Sequence, residues 1–178
     1  MIKKYAVAVA LSLSTLIAPT GISHLEASPA IFENLSGKWR GKGLVKSSSK
    51  GKKESIRCKM NNSVSDSKRI RLKGNCAVSG FVFSLNGFIK QNGSKNSYTA
   101  SMFKSLANIK QSNFSGKRSG NRINFNFKGR DRISKQAISA TVKLNAKSSK
   151  AFDVQISRTD PETGKVFNVG TINFSKRG

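Results

Sequence analysis

The chain has 178 residues, with 33 Lys and Arg against 8 Asp and Glu, for a formal net charge of +25. That length suits one domain behind a short leader, and the positive field favours anionic partners without choosing among them. Two Cys alone rarely complete a zinc shell, and a single His leaves little scope for imidazole chemistry.

In chain order, the first predicted element is a leader. Lys3 and Lys4 open it, residues 6–18 (AVAVALSLSTLIA) are apolar or small, and PTGISHLEASPA breaks the run. A basic start, a short apolar stretch and small residues near a break form the secretory pattern. The stretch is shorter than the roughly 20 residues a membrane-spanning helix needs. The sequence therefore predicts a signal peptide over residues 1–27, cut after Ala27 or alternatively Ala30, and one domain over 28–178. The lone His24 lies in the leader. The expected location is the periplasm or outside the cell.

A short apolar lead follows, with Ile31, Phe32 and Leu35. Then comes GKWRGKGLV, residues 37–45, which reads as the first strand. Alternation puts Trp39, Gly41, Gly43 and Val45 on one face and Lys38, Arg40, Lys42 and Leu44 on the other. KSSSKGKKE, residues 46–54, reads as a polar hairpin tip.

The next two runs, ESIRCKM and RIRLKGNCAV, alternate in the same way. Paired as a hairpin centred on Ser67, strands 54–64 and 68–78 set Cys58 directly opposite Cys76. Opposed residues have Cα atoms about 4.5 to 5.5 Å apart, within reach of a disulfide. An even cysteine count in an exported protein points the same way. The register leaves Arg57, Lys59, Arg69, Arg71 and Lys73 on the outward face as a basic plate.

Further alternating runs are RINFNFK, AISATVKL and AFDVQIS, with turn formers between them in QNGSKN, GKRSGN and DPETG. The count is eight to ten strands. The expected fold is all-β, an antiparallel up-and-down barrel. Its inward set would be Trp39, Phe81, Phe83, Leu85, Tyr98, Met102, Phe125, Phe127, Phe152 and Val154. Small barrels can be filled by their own side chains, so this set suits either a packed core or a cavity for a small apolar ligand.

Gly37-Lys38-Trp39 resembles the Gly-x-Trp signature of lipocalin-like (calycin) barrels. There a Trp near the start of the first strand caps the closed end, often packed beneath an Arg from a late strand. The resemblance implies a barrel with Gly37 and Trp39 at its closure, and Arg158 or Arg177 as the partner of the ring. The wider pattern, LSGKWRGKG followed by IRC and GNC, is similar to small uncharacterised exported proteins of Gram-negative bacteria.

No catalytic set emerges. Asp66, Asp160 and Glu162 sit in turn sequences, Asp153 faces outward by alternation, and Asp131 lies between Arg130 and Arg132. Nothing suggests two carboxylates sharing a cleft, a phosphate loop or a dinucleotide fingerprint. The expectation is a non-enzymatic, monomeric binding protein of the bacterial envelope, without a cofactor or metal. Its partner is an anionic surface, polymer or acidic protein, or an apolar ligand. The anionic-partner surface is Arg57, Lys59, Arg69, Arg71, Lys73, Arg130 and Arg132. Aromatics and cations fall on opposite faces, which argues against specific nucleic-acid readout. The alternative is a secreted virulence effector that binds a host component.

Overall fold

A computed structural model describes residues 30–103, 112–130, 137–160 and 162–177. One short helix, α1 (Ala30–Leu35), precedes ten strands: β1 (Gly37–Val45), β2 (Glu54–Asp66), β3 (Arg69–Val78), β4 (Phe81–Gln91), β5 (Ser97–Phe103), β6 (Ser112–Ser119), β7 (Arg122–Arg130), β8 (Ala137–Ser148), β9 (Ala151–Thr159) and β10 (Val166–Lys176). Each strand pairs antiparallel with the next, and β1 closes on β10, giving an up-and-down barrel of ten strands. This is the fold class expected from the alternation.

The β2–β3 hairpin shows how local pattern becomes register. Ile56 opposes Val78, Cys58 opposes Cys76 and Val64 opposes Ile70, after which the register shifts near Asp66. The Cys58–Cys76 disulfide is formed, with Cα atoms 4.1 Å apart. The β3–β4 connection is two residues, Ser79 and Gly80, both at positive φ. Such a turn matches the twist of the strands it joins.

The up-and-down order sorts the barrel's ends. The β1–β2, β3–β4 and β9–β10 turns emerge at one end, and α1 lies at the other. Ile31, Phe32 and Leu35 of α1 are buried, as are Ile70, Ile89, Tyr98 and Ile123. Phe32 meets Tyr98 edge to face at 5.9 Å between ring centroids. The core is therefore densest around α1.

One predicted inward residue is corrected. Phe81 is 79% exposed. It directly follows the tight Ser79–Gly80 turn, so it stands on the rim, beyond the last layer of facing side chains. The side chain of Met102 lies outside the described residues.

Candidate functional site

Two features are candidates for a binding site: the interior and the outward plate. The interior has a built floor. Trp39 is fully buried, and its Nε1–H donates to the Leu35 carbonyl at 2.9 Å. Asn62 Nδ2 donates to the same carbonyl at 3.0 Å. One orphan carbonyl at the end of α1 is thus satisfied twice, which ties the helix to β1 and β2. Phe152 packs edge-on to Trp39 at 4.7 Å and stacks on Phe174 at 4.4 Å. A Cβ at Gly41 would lie 2.5 Å from the Phe174 ring, so the glycine makes room for that aromatic stack.

The cation over Trp39 is neither of the two arginines expected. Lys176, directly opposite Trp39 across the β1–β10 pair, places Nζ 5.5 Å from the ring centroid. Gly37 explains how it gets there. A Cβ at Gly37 would lie 2.8 Å from Lys176 Cε, and its φ of +113° also favours glycine. Arg158 instead lies over Phe167 and donates to the Ser47 carbonyl at the opposite end. Arg177 contributes its backbone N–H to the Lys38 carbonyl. Sequence spacing could not separate these candidates, because the choice depends on how β1 and β10 meet.

Toward the turn end, packing loosens. Val45, Val78, Phe83, Leu85, Ile138 and Val154 pack against the core yet are only partly buried. Barrel diameter grows with strand number, and about eight strands already leave an interior that side chains can just fill. Here the floor is occupied by Trp39, Tyr98, Phe152, Phe174 and α1, whereas the turn end combines those partly buried side chains with one buried aromatic pair, Phe114 and Phe127, whose ring centroids lie 5.2 Å apart. Two polar atoms of the interior are buried without a hydrogen-bond partner among the described residues: Tyr98 Oη and Asn62 Oδ1.

The outward plate spans three strands. Across β1 and β2, Arg40 opposes Lys59 and Lys42 opposes Arg57. Asn61 lies between Lys38 of β1 and Lys73 of β3. Arg71 extends the array, and all seven of these cations are exposed. Like charges directly opposite one another across strands destabilise a sheet, so two such pairs in one surface are a cost that packing does not explain. The outward positions of Lys38, Arg40 and Lys42 were legible from alternation; their apposition to β2 needed the strand pairing.

The remaining predicted cations separate from this array. Arg69 pairs with Asp66 at 3.7 Å and lies over the Phe88 ring at 5.1 Å, at the hairpin's turn. Arg130 ends β7, on another part of the wall, and its side chain lies outside the described residues, as does all of Arg132.

The carboxylates are dispersed. Asp153 follows the outward alternation but is buried, ion-paired with Lys147 at 2.8 Å. Asp160 organises the β9–β10 turn and reaches across to the β1–β2 turn. The Ser49 hydroxyl foremost, and the backbone N–H groups of Glu162, Thr163 and Ser49, lower its pKa to about 2, against the opposing effect of desolvation. Among the described residues, no group of three His, Cys, Asp or Glu could hold a metal ion.

No protein-family model matches the chain, and no curated protein matches it significantly. Solved structures do. An S-type phycobiliprotein lyase, CPES, from Guillardia theta aligns with a TM-score of 0.51 at 7% identity, covering 84% of this chain and 92% of that one. A de novo designed fluorescence-activating β-barrel aligns at 0.44 and 13% identity, covering 80% and 93%. The protein EF1p2_mFAP2b, solved bound to DFHBI, aligns at 0.43 and 10% identity, covering 86% and 99%. At these identities the likeness concerns the fold alone.

Proposed function

We propose that this chain is a non-enzymatic binding protein whose barrel interior takes one small apolar or amphipathic molecule, entering at the end opposite α1. The observation that carries this reading is the contrast between the two ends. Trp39, Tyr98 and the α1 side chains are almost wholly inaccessible, while Val45, Val78, Phe83, Leu85, Ile138 and Val154 remain partly open, beside the buried pair Phe114 and Phe127 on one side of the wall. Apolar, concave and largely pre-formed sites are the usual small-molecule sites.

Export through a leader over residues 1–27 belongs to the same proposal, with action in the bacterial envelope or beyond it. The Cys58–Cys76 disulfide supports it, because such bonds persist in oxidising compartments.

The test uses a neutral probe, so that net charge does not drive its uptake. Titration with 1-N-phenylnaphthylamine should give fluorescence that saturates at one probe per chain, and native mass spectrometry of gently purified protein should show added mass. Neither saturation nor added mass would mean a filled barrel, and the reading would fall.

A further inference from the structure

Among the described residues, the exposed large hydrophobics are Leu44, Phe81, Val82 and Val166, at 53%, 79%, 72% and 73%. They are not scattered. Leu44 is the penultimate residue of β1, Phe81 and Val82 open β4, and Val166 opens β10. All four therefore lie at the turn end, and none lies at the α1 end. Isolated surface hydrophobics need no explanation, but a set gathered on one rim does.

The same rim is cationic. Lys50, Lys52 and Lys53 occupy the β1–β2 turn and Lys165 the β9–β10 turn, all exposed. One outward step down each strand from Leu44 and Ser55, the plate begins with Lys42 and Arg57. The acids of this end are mostly engaged. Glu54 accepts from the Ser79 hydroxyl, and Asp160 is buried in its turn; only Glu162 remains exposed among the described residues. Beside Leu44, a groove of about 560 Å³ is lined by Lys46, Lys53, Asn168 and Thr171. Apolar tips beside a collar of Lys and Arg match a bilayer interface, where acyl chains and anionic headgroups lie at adjacent depths.

We infer that this rim docks on a bilayer bearing anionic phospholipid headgroups, with Phe81 and Val82 at the acyl boundary and Lys42, Lys53 and Arg57 on the phosphates. The barrel's mouth then faces the membrane. Docking uses the outer rim only, so it holds whether the interior is hollow or filled.

Vesicle co-sedimentation tests this, with every variant carrying the same N-terminus. The protein should bind phosphatidylcholine vesicles containing phosphatidylglycerol and bind pure phosphatidylcholine far less. Phe81→Ser with Val82→Ser should weaken binding about tenfold through lost apolar contact. Lys42→Gln with Arg57→Gln should weaken it at least about tenfold through lost headgroup attraction. All four positions are exposed, and unchanged circular dichroism checks each fold. Phe81→Trp adds a direct readout: its emission should shift to the blue on anionic vesicles, while buried Trp39 stays constant. No binding to anionic vesicles would overturn the inference. So would binding that ignores the Phe81→Ser, Val82→Ser change, or emission from Phe81→Trp that does not move, since the contact would then be charge alone.

Discussion

At the scale of single residues, Gly37, Trp39 and Lys176 form one device. The glycine leaves a gap, the lysine stem passes through it, and the ammonium lies over the indole. Cation–π contacts favour this geometry, and the short Gly-x-Trp spacing is thereby given a physical purpose. Asp160 is a second such device, joining the β9–β10 and β1–β2 turns. Its pKa is lowered from 3.8 to about 2 in the folded protein. The stability that this carboxylate contributes is therefore fully present above about pH 4 and is lost as the pH falls toward 2. Urea midpoints measured across that window should fall in the parent and fall less in Asp160→Asn. Equal slopes would show that the turn does not depend on the charge.

At the scale of elements, strand β2 carries both a covalent clasp, to β3, and an electrostatic cost, against β1. The disulfide closes a segment with a sequence separation of 18. Replacing Cys58 and Cys76 with Ser should destabilise the fold by about 3 kcal/mol if chain entropy dominates. Chemical denaturation of the double variant beside the oxidised parent measures this directly. A change near zero would mean that the strand ladder alone holds the register. The cost lies on the other face, where Arg40 opposes Lys59 and Lys42 opposes Arg57. Disulfide and charge share strand β2 because alternate residues point to opposite faces.

At the scale of the whole molecule, the charge is large and little compensated. The net charge is +25, and the ion pairs among the described residues include Arg69–Asp66 and Lys147–Asp153. Self-repulsion of that size opposes the compact state and is screened by salt over a Debye length of about 10 Å at 0.1 M. Thermal midpoints should therefore rise by a few degrees between low and moderate sodium chloride concentrations. A midpoint that falls with salt would mean that attractive pairs dominate the surface. The barrel is also asymmetric end to end, with a floor sealed by α1 and a rim that is apolar and cationic. The two functional proposals divide along this axis: a ligand inside, and a membrane against the mouth.

Much of this architecture was legible in the chain. Period-two ordering identified the alternating strand runs, because a strand's pleat is a property of adjacent residues. Hairpin symmetry about Ser67 placed Cys58 against Cys76, since antiparallel neighbours in sequence have few registers to choose from. What the tertiary structure decided is non-local. Closure of β1 on β10 brought Lys176, rather than Arg158 or Arg177, to Trp39. The tight Ser79–Gly80 turn set Phe81 out on the rim although alternation pointed it inward. Facing is written residue by residue, but which strands meet, and where the core stops, depends on contacts between segments far apart in the chain.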